Sequence, residues 1–147
     1  MSATCDVQNP ATGKRVESVP NAGVAEARVA ARRSIDAFPG WRDRTAYERS
    51  KILRAWHDLM LQDEARLARL MTDEMGKPIT ESRGEVKYAA AFVEWYAEEA
   101  KRVYGETVPS QFAHKRLLVR PQPVGPVYAV TPWNFPAAMV TRKAAPA

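Results

Sequence analysis

Apolar residues recur three and four positions apart over most of the first hundred residues, which is the spacing of one helix face. The first face extends from Val24 to Phe38, and Pro39 and Gly40 in "FPGW" are expected to end that helix. A second face follows Thr45, which stands three residues before a glutamate, as a capping box requires. Its inward positions are Ile52, Leu53, Trp56, Leu59 and Met60.

Two further helices are expected before the pattern changes near Gly105. Asp63 can cap the third helix at its start, and Gly76 followed by Pro78 can end it. The fourth helix is the longest, and Gly105 is expected to close it. The predicted inward residues of these two helices are Leu67, Leu70 and Met71, then Val86, Ala89, Ala90, Val93, Ala97 and Ala100. The opening dozen residues, with "NPATGK", are expected to be extended or looped.

The rest of the chain has strand character. The stretch "KRLLVRPQPVG" suits an edge or inter-domain strand, because its prolines cannot donate to a ladder. "VYAVT", residues 127–131, is a continuous apolar run, as in a strand buried on both faces of a parallel sheet. Pro136 is suited to the first position of a helix that follows. No second apolar run accompanies "VYAVT", so we expect a truncated α/β chain.

Composition limits the class of protein. The chain has 147 residues, is 46% hydrophobic, and carries its net charge of +5 in mixed stretches such as "DRTAYERSKILRAWHD", which are typical of solvated helix faces. The single cysteine, Cys5, excludes an internal disulfide, and no apolar run reaches the ~18 residues of a membrane span. We therefore predict a cytoplasmic protein with neither a nucleic-acid nor a membrane partner. The competing hypothesis is a non-catalytic basic helical module that binds proteins or nucleic acid through "ARVAARRS".

Several stretches together resemble one family: "NPATGK", "LARLMTDEMGKP", "EVKYAAAFVEWYAEEAKRVYGE", "PVGPVYAVTPWNFP" and "MVTRKAAPA". Through them the chain resembles the N-terminal part of an aldehyde dehydrogenase, and "EWYAEEAKRVYGE" with "TRK" favours the succinate-semialdehyde branch. The resemblance implies an α/β fold in which an N-terminal helical segment leads into the first strands of a Rossmann-like dinucleotide-binding domain, incomplete in this chain. Residues 1–104 would be mainly helical, 105–124 an extended inter-domain or oligomerisation region, and 125–147 the first buried strand, the "PWNFP" loop and the start of a helix.

The same resemblance implies an activity. An intact enzyme of this kind would oxidise succinate semialdehyde to succinate through a cysteine thioester, with NAD or NADP as cofactor and as a homo-oligomer. Another aldehyde of the superfamily is the alternative substrate. In such enzymes the catalytic cysteine, the glutamate base and the glycine-bearing loop at the cofactor pyrophosphate lie beyond residue 147, so the chain alone is expected to be inactive. Cys5 stands far upstream of the catalytic position and is not assigned as the nucleophile.

The "PWNFP" stretch carries most of the implied site. Asn134 resembles the donor to the oxyanion, because a neutral carboxamide N–H can stabilise developing negative charge without itself titrating. Thr131, Pro132 and Trp133, together with Asn134, resemble the strand-end segment beside the nicotinamide half of the cofactor. The alternatives are that Asn134 is only a turn residue between two prolines and that Trp133 only fills a core.

Two further residues complete the candidate site. Phe135 resembles a residue that lines the substrate tunnel, and Arg142 resembles the arginine that holds the far carboxylate of the substrate. The alternatives are simple packing for Phe135 and an exposed helix position for Arg142. His57 and His114 have no partners at metal or triad spacing, so no metal site is expected.

Overall fold

Residues 4–147 are described by a computed structural model of the chain. They form two antiparallel hairpins and five helices. In chain order the elements are β1 (Thr4–Gln8), β2 (Arg15–Pro20), α1 (Val24–Arg42), α2 (Ala46–Gln62), α3 (Glu64–Met75), α4 (Ile79–Glu99), a 3₁₀ turn (Ala100–Arg102), β3 (Glu106–Val108), β4 (Leu117–Val119) and α5 (Pro136–Ala144).

Helix α4 is the centre of the core and contacts α2, α3 and α5. Its predicted inward face is confirmed for Val86, Ala89, Ala90, Val93 and Ala97, which are all buried, whereas Ala100 lies in the 3₁₀ turn and is half-buried. Small alanine side chains on this face let the neighbouring helices approach closely. One apolar cluster joins α4 to α2 and α5, and a smaller one joins it to α3. Ala137 of α5 packs against both clusters, so the start of α5 lies where they meet.

The "NPATGK" turn joins β1 to β2 and docks on the end of α3. The Asn9 side-chain oxygen accepts hydrogen bonds from the amides of Ala11 and Thr12, and its amide group donates to Asp73 at 3.5 Å. Gly76 has φ of +76°, and a Cβ there would stand 2.9 Å from the Pro10 ring. Glycine is therefore needed both for the left-handed turn and for the close approach. The two strands themselves were not predicted, although an extended or looped start was.

Helix boundaries follow local signals in most places. The capping box at the start of α2 is confirmed, with the Thr45 amide donating to Glu48 at 2.8 Å and the Glu48 amide donating back at 3.2 Å. Asp63 does occupy the N-cap of α3, but its carboxylate binds Arg66 instead of a backbone amide. Helix α4 ends at Glu99 and tightens into the 3₁₀ turn, so it stops before Gly105.

The predicted end of α1 at "FPGW" is wrong. The helix continues through Pro39 to Arg42, and the Pro39 carbonyl accepts from the amide of Asp43. Proline removes one donor and crowds the preceding turn, and this cost is tolerated here one turn before the helix ends. The helix forms as predicted from Val24, yet none of its residues is buried, because its apolar face has no partner among the described residues.

The strand predicted at residues 127–131 is not formed. These residues are extended, and Val127, Tyr128 and Val130 are 60%, 91% and 67% exposed. A strand needs a neighbour for its backbone N–H and C=O groups, and no strand in residues 4–147 lies beside this run. The predicted strand in "KRLLVRPQPVG" does form as β4, which pairs only with β3.

Candidate active site

The chain enters α5 through residues 131–135, which we call the Asn134 loop. Phe135 is the N-cap of α5 but offers no side-chain acceptor to the free amides of the first turn. Pro136 occupies the first helical position, where its missing N–H costs no hydrogen bond. The amide of Met139 donates to the Phe135 carbonyl at 2.9 Å, which closes the first turn. The start of α5 therefore needs an acceptor from elsewhere in the fold.

Glu85 of α4 supplies that acceptor. One carboxylate oxygen accepts from the amides of Ala137 and Ala138 at 3.0 and 3.3 Å. The side chain is 1% exposed, so these amides and the carboxylate satisfy one another away from water. A negative charge at a helix N-terminus is also favoured by the helix dipole. Glu85 thus caps α5 across a sequence separation of 52 residues.

Lys77, just before α4, balances this charge. Its ammonium group forms an ion pair with the other Glu85 oxygen and is only 10% exposed. The same nitrogen donates to the backbone carbonyl of Asn134 at 3.3 Å and lies 4.0 Å from the centre of the Phe135 ring. Lys77 and Glu85 therefore hold the Asn134 loop and the first turn of α5 from one side. We call them the Lys77–Glu85 pair.

A groove of about 380 Å³ lies between the Asn134 loop, β1 and the end of α3. Thr131, Pro132 and Trp133 form its loop side, as expected if these residues share one surface. The opposite side comes from Val7, Met71, Glu74 and Met75. Trp133 is 82% exposed within residues 4–147. Most of the residues that line the groove are apolar, and Thr131 and Glu74 are its polar members.

The Asn134 carboxamide is exposed and makes no hydrogen bond within residues 4–147, although its backbone carbonyl is bound by Lys77. An asparagine that only stabilises a turn commonly bonds to its own backbone, as Asn9 does. Asn134 has no such bond, so its two N–H donors are available to a ligand.

Phe135 and Arg142 lie in different surroundings. Phe135 is 39% exposed and packs beneath the Lys77 ammonium group. Arg142 lies two turns along α5, is exposed, and has its guanidinium 5.8 Å from the centre of the Phe92 ring. Its ring contact is thus with α4 and not with the Asn134 loop. Thr131, Pro132 and Trp133 share the groove, whereas Asn134 and Phe135 are not among its lining residues and Arg142 stands apart on the helix that the loop introduces.

The remaining candidate groups do not converge on the loop. Cys5 is exposed in β1, and the His57 ring lies 2.8 Å from the carboxylate of its neighbour Asp58. Among the described residues, no three histidine, cysteine or acidic side chains are grouped as metal ligands would be. None of the helices within residues 4–147 combines the length and apolarity that a membrane span requires.

Neither Lys77 nor Glu85 was predicted from the sequence as part of the site. A signal for Glu85 was present, since it stands four residues before Ala89 on the apolar face of α4 and so interrupts that face with a charge. Lys77 follows the helix-ending glycine and resembles an ordinary surface residue in sequence. Their contacts join residues 52 to 57 positions apart, which no local pattern indicates.

Comparison with known proteins decides the family. The profile of the aldehyde dehydrogenase family matches residues 1–147. The chain belongs to the aldehyde dehydrogenase family. It is 56% identical over 144 residues to glutarate-semialdehyde dehydrogenase of Pseudomonas putida KT2440, covering 98% of this chain and 30% of that protein. It is also 56% identical over 142 residues to the NADP(+) succinate-semialdehyde dehydrogenase of Escherichia coli K12, covering 97% of this chain and 30% of that protein.

Solved structures support the same assignment of the fold. The crystal structure of an E. coli NADP-dependent enzyme superposes with a TM-score of 0.95 at 54% identity, covering 97% of this chain and 30% of that chain. The α/β aldehyde-dehydrogenase fold predicted from sequence is thereby confirmed for the part that these residues form. The chain spans about 30% of the length of the curated relatives it matches. Because the chain belongs to this family, no motif in it requires the competing hypothesis of a basic helical binding module.

Proposed function

We propose that this chain forms part of a cytoplasmic, homo-oligomeric aldehyde dehydrogenase that oxidises succinate semialdehyde to succinate with NAD or NADP. The observation that carries the proposal is the Asn134 carboxamide, which is exposed and unpaired within the described residues on a loop held by a buried ion pair. We propose the same three parts as the sequence predicts. Residues 1–104 form the helical support, residues 105–124 form an inter-domain or oligomerisation segment, and residues 125–147 carry the site.

In this proposal Asn134 donates a hydrogen bond to the oxygen of the substrate carbonyl. That oxygen gains negative charge when a thiolate attacks the aldehyde carbon, and a fixed donor about 2.7–3.1 Å away stabilises the charge most strongly at that moment. The carboxamide is neutral at every pH of interest and needs no proton exchange. No nucleophile is assigned within the described residues, because Cys5 lies on an exposed hairpin strand away from the groove lining.

The groove beside Thr131, Pro132 and Trp133 is the proposed contact for the nicotinamide end of the cofactor. Its apolar wall fits a planar heteroaromatic ring, and the Thr131 hydroxyl can bond to a polar substituent of that ring. When bound there, the cofactor would accept a hydride from the aldehyde carbon. Trp133 and Pro132 would hold the ring beside Asn134 and exclude water from its apolar face.

Arg142 is the proposed clamp for the far carboxylate of the substrate, and Phe135 is proposed to line the path to the carbonyl. The two relatives at 56% identity are named for succinate and glutarate semialdehydes, and both of these molecules end in a carboxylate opposite the aldehyde. A guanidinium suits that group, because it can bind both oxygens at once. Arg142 has no acidic partner within residues 4–147, so its charge is available to a substrate.

Glutarate semialdehyde is the second candidate substrate, favoured by the relative from P. putida at the same identity. It is one methylene longer than succinate semialdehyde, a difference that a pocket discriminates by only about 10- to 200-fold. Ratios of kcat/KM for the two substrates would decide between them.

The proposed function can be tested in a chimera in which this chain replaces the matching part of the E. coli succinate-semialdehyde dehydrogenase. We expect the chimera to reduce NADP with succinate or glutarate semialdehyde and to prefer both over butanal, which lacks the carboxylate. The 147-residue chain alone should show no aldehyde-dependent reduction of NAD or NADP. A chimera that folds like the parent enzyme but prefers butanal would contradict the assignment.

A further inference from the structure

The Lys77–Glu85 pair contacts Asn134, Phe135 and the first turn of α5, and we infer that these two residues are positioning residues that fix the backbone from which the Asn134 carboxamide extends. The inference rests on the proposed function of Asn134. It adds to the site one residue just before α4 and one in its first half, neither of which is proposed to touch the substrate.

The Asn134 side chain makes no hydrogen bond within residues 4–147, so the contacts that locate this residue are those of its backbone. Lys77 holds the Asn134 carbonyl, and Glu85 holds the amides of Ala137 and Ala138, three and four residues later. Both contacts lie on the C-terminal side of the Asn134 Cα atom, and together they fix the path of the chain from Asn134 into α5. Loss of either contact would let the loop rotate about Asn134.

Burial makes the pair suitable for this role. Lys77 is 10% and Glu85 1% exposed, so water competes weakly for the ion pair between them, while the bond from Lys77 to the Asn134 carbonyl is more exposed. Lys77 also lies 4.0 Å from the centre of the Phe135 ring, so one ammonium group contacts two successive loop residues. A donor to an oxyanion must be held in place before the reaction, because a displacement of about 1 Å at such a site can lower the rate a hundredfold.

A merely structural pair would also stabilise the fold, and a double-mutant cycle separates the two roles. In the chimera, Lys77→Met should lower kcat by about ten- to a hundredfold while the KM for NADP changes by less than about threefold. In an Asn134→Ala background, Lys77→Met should lower kcat by less than about twofold more, since there is no carboxamide left to misplace. Lys77→Arg, which keeps a cation and its donors, should recover most of the lost kcat.

Lys87→Met is the matched control. It removes an α4 lysine whose ammonium group lies 3.7 Å from the carboxylate of Glu64 on α3, away from the Asn134 loop. This variant should keep the kcat of the unmutated chimera. If Lys77→Met lowers kcat by the same factor with and without Asn134, or by no more than Lys87→Met does, the positioning role is wrong. If Lys77→Met does not fold, Glu85→Asp takes its place in the cycle, and a wild-type kcat in Glu85→Asp would overturn the inference.

Failure of the proposed function is distinguishable from failure of this inference. If Asn134→Ala alone leaves kcat within a few-fold of the parent, the oxyanion role fails and positioning with it. If Asn134→Ala is severely slow while Lys77→Met is not, only the inference fails. Hydrogen exchange on the chimera gives an independent arm: Glu85→Gln should speed exchange at the amides of Ala137 and Ala138 but not at the core of α2. Unchanged exchange at both amides would contradict the contact on which the inference depends.

Discussion

At the scale of single residues, exposure separates the side chains proposed to meet substrate from those that hold the loop. Asn134 and Arg142 are exposed, whereas Glu85 is buried and the Lys77 side chain is only 10% exposed. Substitution of an exposed residue without structural partners should change kinetics and leave stability nearly unchanged. Removal of one member of a buried ion pair leaves the other unpaired, so it should affect both.

Arg142→Ala tests the carboxylate clamp. In the chimera this change should raise KM for succinate semialdehyde at least about tenfold, because a charge-assisted pair is lost, and should leave KM for butanal nearly unchanged. Lys143→Ala, one residue further along α5, is the control for loss of positive charge without loss of the assigned residue. Steady-state kinetics on both aldehydes gives the answer. Equal effects on the two substrates, or equal effects of the two variants, would remove Arg142 from the site.

The residues that could be identified from sequence are those within one short motif. "PWNFP" named Asn134 and its neighbours together, and the structure places Thr131, Pro132 and Trp133 on one groove. Lys77 and Glu85 could not be identified in this way, because their contacts depend on how α4 packs against the start of α5. The same packing, and not helical spacing alone, gives Arg142 its contact with Phe92.

At the scale of elements, a charged network joins α2 to α4. Arg54 donates to Glu94 at 2.9 Å and to Glu98 at 2.6 Å, and Lys101 lies 2.6 Å from the other Glu98 oxygen. Hydrogen bonds from Lys101 and from Arg54 lower the pKa of Glu98 to about 2. The unfolded chain binds a proton near the ordinary value of 4.5, so the charged form of Glu98 is favoured by folding.

Glu98→Gln should therefore lower the thermal midpoint of the chain, and the size of the effect should depend on pH. A carboxyl whose pKa is depressed by folding stabilises the protein above pH 4.5, and this stability is lost as the pH falls towards about 2. The difference between the native sequence and Glu98→Gln should be largest near pH 7 and shrink between pH 4.5 and 2. Circular dichroism at each pH measures it. The difference should also shrink in 1 M salt, because the network is partly exposed; an effect independent of pH and salt would contradict this account.

Helix ends that depend on neighbouring residues can be predicted from the sequence, whereas strands that depend on pairing with a distant segment cannot. The capping box of α2 and the left-handed turn at Gly76 were predictable, because both depend on residues within one turn of the helix end. "VYAVT" could not be assigned from its own composition, since a strand forms only beside another strand. The end of α1 was wrongly predicted at Pro39 for a related reason. The effect of a proline on a helix depends on how near the helix end it lies, which the local sequence does not show.

At the scale of the whole molecule, the exposed surface is larger than that of a compact domain. The chain exposes 11206 Å², whereas a folded monomer of its 16.4 kDa mass is expected to expose about 7,500 Å². Part of this excess is apolar, on the unpartnered face of α1 and along residues 124–133. Surface of this kind promotes association with other apolar surface.

The isolated chain should accordingly be helical but not monodisperse. Circular dichroism should show substantial helix, because α2, α3 and α4 pack on one another, while light scattering should report oligomers or aggregates without one stoichiometry. A chimera that covers these faces should give one defined species. A monodisperse monomer of the isolated chain would show that its apolar faces do not drive association.

Asn134 is proposed to stabilise the oxyanion, and Asn134→Ala in the chimera tests this proposal directly. Both kcat and the dissociation constant of NADP are measured for this variant and for the parent chimera. The proposed hydrogen bond strengthens only as charge develops on the carbonyl oxygen, so kcat should fall about a hundredfold or more while NADP affinity stays within about threefold of the parent. If kcat instead remained within a few-fold and NADP binding weakened, Asn134 would be a structural turn residue and the account of the site would be wrong.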